Sequence, residues 1–194
     1  MEKPVEKDFF YQPTLQLAKE LLGCHLVHII DDVILSGIIV ETEAYMGPVD
    51  RAAHSFQNRR TKRTEIMFHE PGLIYTYQMH THTLINIVSG EIDTPQAVLI
   101  RAIEPIEGID KMIQLRKNQP ISNLTNGPGK LTKAMNITMS SYGQKSWKPP
   151  VFIAEGIKPH HISFGPRIGI ENTGEARDYP WRFWITDNKF ISRK

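Results

Sequence analysis

Residues 37–54 read GIIVETEAYMGPVDRAAH, and the predicted fold is built around this stretch. Alternation with a period of two predicts a strand that runs to Tyr45. Its two faces carry Ile38, Val40, Thr42 and Ala44 on one side and Ile39, Glu41, Glu43 and Tyr45 on the other. Gly47 and Pro48 then end the strand, and the chain turns towards His54. A carboxylate, a phenol and an imidazole at this spacing can hold a flat polar ligand and activate a water molecule. On the spacing alone, a strand end with a solvated glutamate and a capping histidine is the simpler interpretation.

The composition is that of an ordinary globular protein of one domain, or of one domain with extensions. The chain has 194 residues, of which 40% are hydrophobic and 23% are charged, so it can bury a core without disulfides. A net charge of +2 neither requires nor excludes nucleic acid as a partner. The single cysteine, Cys24, can form no internal disulfide, which suits a reducing compartment. No stretch has signal-peptide character or membrane-spanning length, so we expect a cytoplasmic protein.

Hydrophobic periodicity and turn residues predict an order of helices and strands. Helices are predicted at residues 14–22 and 109–117, and residues 126–131 (NGPGKL) predict the start of a third. Strands are predicted at residues 26–30, 33–43, 97–103, 151–154, 167–170, 181–185 and 190–192.

Residues 73–88 (LIYTYQMHTHTLINIV) predict a β-hairpin with a polar tip. Tyr75 and Tyr77 share one face by alternation, and Met79, His80, Thr81 and His82 lie at or near the tip. A protruding hairpin with a bulky tip can enter a nucleic-acid groove and unstack bases. An ordinary exposed turn and a weak metal site from the two histidines are the alternatives.

Cationic side chains at three places suggest contacts with anions. The polar segment 55–65 carries Arg59, Arg60, Lys62 and Arg63, which form either a solvated surface or a phosphate-binding loop. Arg101 interrupts an apolar run, so its charge needs a carboxylate or a phosphate beside it. Lys130 follows glycines at a predicted helix start, where a backbone phosphate or a structural role fits.

Taken together and in order, these stretches resemble the alkyladenine (3-methyladenine) DNA glycosylase family, in its bacterial type. The matching text comprises residues 21–23 (LLG), 39–50 (IVETEAYMGPVD), 52–55 (AAHS), 67–68 (MF), 71–72 (PG), 75–77 (YTY), Asn86, 98–105 (VLIRAIEP), 126–131 (NGPGKL), 167–170 (RIGI) and 180–183 (PWRF). The ordered set covers nearly the whole chain, and VETEAY followed by AAHS is its most specific part. The resemblance implies one α/β domain of the α+β type over residues 1–194, with residues 1–8 as a flexible tail. It also implies a curved, mostly antiparallel sheet, flanking helices and a DNA-inserting hairpin.

The resemblance also implies an activity, which is base-excision repair by a monofunctional DNA glycosylase. Such an enzyme flips alkylated purines out of duplex DNA and hydrolyses the N-glycosidic bond, without a metal or another cofactor. The partner is therefore double-stranded DNA that contains damaged purines, and the protein is expected to be a monomer that works at the nucleoid.

Site residues follow from the resemblance position by position. Glu43 corresponds to the general base on water and Arg101 to a residue that holds the phosphate and helps to set the water. Tyr45, His54 and Tyr77 correspond to the groups that sandwich the flipped base, and Asn86 to the pocket floor that rejects normal guanine. Arg59, Arg60, Lys62, Arg63 and Lys130 are candidates for contacts with the DNA backbone.

The residue that fills the vacated base stack is open between two candidates. Relatives carry a tyrosine at the hairpin tip, in a stretch one residue longer before the asparagine. Counting forward from Tyr77 favours His80, whereas counting back from Asn86 favours Met79.

Two other classes of function stay open at this stage. One is a metal-dependent hydrolase built from Glu41, Glu43, Asp50 and His54, supported by His80 or His82. The other is a non-enzymatic module that binds nucleic acid through the basic segment and the hairpin. For Glu41 and Asp50, structural roles are the simpler interpretation: a buried partner of an arginine and a turn carboxylate.

Overall fold

A computed structural model describes residues 2–193, which fold as one α+β domain. The strands are β1 (His25–Ile30), β2 (Val33–Tyr45), β3 (Ile74–Met79), β4 (His82–Ser89), β5 (Gln96–Glu107), β6 (Val151–Ala154), β7 (Ile162–Gly165) and β8 (Arg182–Ile185). The helices are α1 (Thr14–Glu20), α2 (Ile109–Leu115) and α3 (Pro128–Ala134), joined by short 3₁₀ turns. No helix in this part of the chain is long and apolar enough to cross a membrane.

The predicted curved antiparallel sheet is confirmed, and β2 lies at its centre. The strand order is β3-β4-β5-β2-β1-β6, with β8 pairing with β2 and β7 with β8. One edge of β2 pairs with β5, while its other edge pairs first with β1 and then, over residues 41–43, with β8. The pairing of β2 with β5 shifts register at three places. Such bulges bend a strand and increase its twist, which accounts for the curled, half-barrel shape of the sheet.

The bulge near Val40 corrects the predicted faces of β2. Ile39 packs in the main core with Ala44, whereas Val40 packs on the opposite side with Ala102. The register passes from Ile39 opposite Ile103 to Glu41 opposite Ala102, so Val40 has no partner and the alternation slips by one residue. The predicted shared face of Glu41, Glu43 and Tyr45 is unaffected because it follows the bulge.

The two faces of the sheet carry different clusters of side chains. The main core lies between the sheet and helices α1 and α3, and its buried members include Leu17, Leu21, Ile100 and Leu131. A second cluster lies on the other face of β3, β4 and β5, and it consists of Met67, Leu73, Tyr75, Tyr77, Leu84, Val88, Ala97 and Leu99. This second face supports the cavity described below.

Several local predictions are confirmed, and others need correction. The hairpin of β3 and β4, with His80 and Thr81 at its tip, and the strand at 151–154 are as predicted. Residues 167–170 and 190–192 are not strands, because two of their backbone amides donate to buried carboxylates, Ile168 to Glu43 and Ser192 to Glu41. Strand β7 was not predicted. Phe183 is buried in the main core, and the half-buried Trp181 packs against that core.

The segment predicted as a flexible N-terminal tail is packed against the sheet over residues 2–8. Pro4 forms a bridge with Ala154 at the edge of β6, and the Val5 amide donates to the Ile153 carbonyl at 3.0 Å. Val5 is buried, and Lys7 forms an ion pair with Glu70 at 2.6 Å. This segment therefore continues the sheet edge, a long-range contact with no local sequence signal.

Candidate active site

A cavity of about 470 Å³ opens beside the hairpin, on the face of the sheet that carries the second cluster. Its volume lies within the range of small-molecule sites, about 300–1,000 Å³. The lining includes Tyr45, His54 and Tyr77, together with Asn86 and Arg101. The structure therefore brings together around one cavity five side chains that the sequence predicted as site residues. The segment 168–173 forms another part of the wall and contributes backbone at Gly169.

The aromatic wall consists of three rings in contact. The ring of His54 meets that of Tyr77 edge-on, with centroids 4.5 Å apart and planes at 84°. Tyr75 lies 5.5 Å from Tyr77 and 6.2 Å from His54, also between centroids. Tyr45 lines the same cavity from the end of β2. The cavity is thus bordered by flat faces and edges that suit a planar heterocycle.

His54 is held in its neutral form. Its Nδ1 lies 2.7 Å from the hydroxyl of Tyr75. Burial, followed by the nearby charges of Arg63 and Arg59, lowers the pKa of His54 to about 4. Burial also raises the pKa of Tyr75, so its phenol is protonated and can donate to Nδ1. In that arrangement the imidazole carries its proton on Nε2.

Glu43 is fully buried, and its carboxylate accepts two hydrogen bonds and forms one ion pair. The Tyr45 hydroxyl donates to Oε2 at 2.9 Å, the Ile168 amide donates to Oε1 at 2.7 Å, and Arg101 Nη1 lies 3.2 Å from Oε2. Burial, followed by the charge of Glu43, raises the pKa of Tyr45 well above its usual value, so the phenol remains a donor. An ionised carboxylate offers about four acceptor positions, which leaves one for a further donor such as water.

The carboxylate of Glu43 does not itself line the cavity. It lies directly behind Tyr45, Arg101 and Ile168, each of which contacts Glu43 and lines the cavity. The sequence did not predict that these three residues would separate Glu43 from the cavity. The spacing of Glu43 and Tyr45 along one strand face makes the contact between them predictable in retrospect.

Glu41 is the buried partner of arginines, as predicted. Its Oε1 accepts from Arg182 Nε at 2.7 Å and from Arg101 Nε at 3.2 Å, and Ser192 donates to both of its oxygens. Arg101 thus lies between two carboxylates, Glu41 and Glu43. Burial alone would lower the pKa of Arg101, but the charges of Glu43 and Glu41 raise it overall. Arg101 is fixed by these contacts while part of it faces the cavity.

Asn86 lies on β4 with 3% of its surface exposed. Its Nδ2 donates to the Tyr75 carbonyl at 3.0 Å. This hydrogen bond fixes the orientation of the Asn86 amide in the wall of the cavity. A buried polar group at this position favours a ligand that can pair with it and disfavours a ligand that cannot.

Asp50 is a capping carboxylate, as predicted, and it also has a partner that the sequence did not reveal. It accepts from the amides of Met46 and Ala52, both at 3.0 Å. Its two oxygens also receive Arg167 at 2.5 and 2.8 Å, and both side chains are fully buried. A salt bridge across 117 residues leaves no local signal in the sequence.

The predicted cations fall into two groups. Arg59, Lys62 and Arg63 are exposed and form no ion pair with any residue in the range 2–193. Arg60 instead pairs with Glu65 at 2.6 Å. The ammonium of Lys130 donates to the side-chain oxygens of Asn123 and Asn126, at 2.6 and 2.9 Å. These contacts supply the structural role that the sequence left open for Lys130.

The metal cluster that the alternative hypothesis needs is not assembled. Across residues 2–193, no three His, Cys, Asp or Glu side chains are grouped so that they could hold a metal ion. Glu41 and Asp50 face arginines, and His54 Nδ1 faces Tyr75. Three of the residues named for a metal site, Glu41, Asp50 and His54, therefore have other partners.

Both wedge candidates border the mouth of the cavity. Met79 is 43% exposed at the end of β3, and His80 follows in the turn with φ of 54°. His82 packs against Gly129 at the start of α3, where an added Cβ would lie 2.7 Å from the histidine ring. This contact braces the hairpin tip against the body of the protein.

Comparisons with known proteins identify the family of this chain. Residues 8–189 match the sequence profile of the family described as Methylpurine-DNA glycosylase. A relative from Bacillus velezensis is 61% identical over 98% of this chain and 97% of its own length, and one from Bacillus subtilis is 59% identical over 99% and 98%. One from Oceanobacillus iheyensis is 54% identical over 98% and 96%, and all three bear the name "Putative 3-methyladenine DNA glycosylase". The resemblance found in the sequence is confirmed: this chain belongs to the methylpurine-DNA glycosylase family, whose members are DNA glycosylases that hydrolyse N-glycosyl bonds.

Proposed function

We propose that this DNA glycosylase excises alkylated purines, with 3-methyladenine and 7-methylguanine as its principal substrates. The names of its relatives support 3-methyladenine, and the chemistry of the cavity supports the wider class. The observation that carries the proposal is the position of Glu43, which lies directly behind a cavity bordered by Tyr45, His54 and Tyr77. We further propose that the protein acts as a monomer on chromosomal DNA.

The aromatic wall selects the damaged base by stacking and by charge. An enzyme that acts on a base must take it out of the duplex, at a cost of a few kcal/mol that damage reduces; glycosylases are among the standard examples. Stacking on aromatic side chains returns about 1–3 kcal/mol per base. Alkylation at N3 or N7 makes a purine cationic, and a tyrosine face attracts a cation by about 0.5–2 kcal/mol. Tyr45 and Tyr77 therefore favour the lesion over the normal base.

Cleavage of the glycosidic bond develops positive charge on the sugar, as in glycoside hydrolysis. The carboxylate of Glu43 stabilises this charge and removes a proton from the attacking water. A cationic base is already a good leaving group, so its departure needs no further proton donor. Water reaches Glu43 when the Tyr45 hydroxyl, which donates to its carboxylate, exchanges that hydrogen bond for one to water.

Arg101 and Asn86 complete the pocket. Arg101 lies 3.2 Å from Glu43 and balances its charge, and the part of Arg101 that faces the cavity holds the phosphate of the flipped nucleotide. Asn86 disfavours normal guanine, because the exocyclic amino group of that base meets the amide group that Asn86 directs into the wall; 7-methylguanine carries the same amino group, and its positive charge offsets this cost at the aromatic wall.

The hairpin and the exposed cations form the DNA face. Either Met79 or His80 fills the gap that the flipped base leaves in the stack. Arg59, Lys62 and Arg63 contact backbone phosphates, whereas Arg60 and Lys130 act there only if they exchange their present partners.

The test is base release from purified protein. Duplexes with one 7-methylguanine, one 3-methyladenine or one inosine are incubated with and without a chelator, and the free base is quantified. The proposal expects release of the methylated bases that is unaffected by the chelator. Activity lost with the chelator and restored by a divalent metal would support the metal-dependent alternative. Salt-dependent binding without any release would contradict excision of these lesions.

A further inference from the structure

We propose that Arg167, which lies outside the cavity, is a positioning residue for the base-stacking wall. The guanidinium carbon of Arg167 lies over the ring of Tyr45, 4.7 Å from its centroid, and 5.0 Å from the centroid of Trp181. Tyr45 lines the cavity and Arg167 does not. Arg167 therefore supports the Tyr45 ring from the protein side. This inference rests on the proposed role of Tyr45 in stacking the flipped base.

The guanidinium is fixed more tightly than a packing role needs. Arg167 is fully buried, and it donates to both oxygens of Asp50 at 2.5 and 2.8 Å. It also donates to the carbonyl of Ala44, the residue before Tyr45, at 2.9 Å, and to that of Ala176 at 3.2 Å. One side chain therefore holds both the ring of Tyr45 and the backbone that precedes it. A planar fork can make these contacts simultaneously, and a lysine ammonium cannot.

Aromatic packing continues beyond Arg167. Tyr179 lies 4.5 Å from Trp181 between ring centroids, with the planes at 37°. These contacts form a continuous path from the half-exposed segment 179–181 to the wall of the cavity. Along this path Tyr179 contacts Trp181, Trp181 contacts Arg167, and Arg167 contacts Tyr45. Cation–π contacts strengthen when the cation is removed from water, and the side chain of Arg167 is fully buried. The orientation of Tyr45 is thus set before a base arrives, which reduces the cost of ordering the ring on binding.

The experiment measures lesion preference in a background that does not release the base. In Glu43→Gln protein, the dissociation constants for an undamaged duplex and for a 7-methylguanine duplex are measured, and their ratio is the preference. We expect Arg167→Lys to lower this ratio about 3- to 10-fold, because Tyr45 loses its support and stacking weakens. A purely structural defect lowers the active fraction, which affects both constants equally and leaves the ratio unchanged.

Further variants keep the test decisive. Trp181→Leu removes a half-buried ring and retains the pair of Arg167 with Asp50, so it provides the readout if Arg167→Lys does not fold; the ratio should fall about 2- to 5-fold. Arg177→Lys is the matched control, because Arg177 is exposed and pairs only with Asp178, and it should leave the ratio unchanged. Tyr45→Ala must lower the ratio by more than either variant.

The outcomes separate this inference from the proposed function. If Tyr45→Ala lowers the preference and the Arg167 and Trp181 variants stay within twofold of the parent, the positioning role is wrong. If Tyr45→Ala itself has no effect, base stacking at Tyr45 is wrong. Continued base release by the Glu43→Gln parent would contradict the role of Glu43 and leave the role of Arg167 to be judged on release rates.

Discussion

Glu41 and Glu43 lie two residues apart on β2, and both are fully buried, yet loss of their charges should have opposite consequences. We expect Glu41→Gln to unfold the protein more easily with little effect on chemistry in the folded molecules. Glu41 accepts from Arg101, Arg182 and Ser192. A glutamine amide has only one oxygen, so its NH₂ group would face either two guanidinium groups or the Ser192 amide.

The size of the effect follows from these contacts. Removing one partner of a buried ion pair costs about 3–5 kcal/mol, because the remaining charge stays buried and uncompensated. For a domain of this length, that cost corresponds to a fall in melting temperature of about 6–20 °C. Glu43→Gln should cost less, about 1.5–3 kcal/mol, since the Tyr45 hydroxyl can reverse its hydrogen bond and accept from the glutamine amide.

The assay is urea unfolding at pH 7, followed by single-turnover base release below the melting temperature of each variant. Glu104→Gln is the matched control, because Glu104 on β5 accepts from a neutral amide, Asn188 Nδ2, at 2.7 Å; it should cost about 1 kcal/mol or less. An unfolding free energy for Glu41→Gln within 1 kcal/mol of wild type would refute the reasoning. Loss of base release at unchanged stability would show that Glu41 belongs to the chemistry.

Three further predictions concern the wall and the tip. The pKa of His54 is lowered from 6.5 to about 4, so the stability that neutral His54 provides is complete above pH 6.5 and lost as the pH falls towards 4. Between pH 6.5 and pH 4, the free energy of unfolding measured in urea should fall by about 2–3 kcal/mol more for wild type than for His54→Gln. Equal falls would contradict this prediction. Asn86→Ser should lower the preference for 3-methyladenine, which lacks the 2-amino group, over guanine about tenfold in release assays, and an unchanged preference counts against the role of Asn86. Met79→Ala and His80→Ala should differ in their effects on base release. Only replacement of the true wedge should lower the release rate from duplex about tenfold or more while release from single strands changes little. Equal losses on both substrates would exclude a wedge role for that residue.

Local patterns predicted the parts of the fold that depend on neighbouring residues. The hairpin tip was predictable because a polar run separates two alternating apolar segments, and His80 adopts the positive φ of its turn. The shared face of Glu43 and Tyr45 followed from strand alternation. The slip at Val40 was not predictable, because a bulge depends on the partner strand and leaves no mark in the bulged one.

Long-range polar contacts explain the remaining differences. Asp50 and Arg167 form an ion pair although they are 117 residues apart in the chain. Neither motif spacing nor composition predicts this contact. Residues 167–170 have the apolar pattern of a strand, but the Ile168 amide donates to Glu43 and Gly169 adopts a φ of 78°. Sequence reasoning therefore picked out residues that border one cavity, and it missed the long-range contacts that hold them in place.

Single-turnover base release by Glu43→Gln, on a duplex with one 7-methylguanine, addresses the role of the buried carboxylate most directly. Glutamine keeps the size of the side chain, so binding of the lesion should stay within about threefold of wild type. The release rate should fall by about 10²–10⁴-fold, the usual contribution of a general base. A rate within tenfold of wild type would contradict the claim that Glu43 drives water onto the sugar.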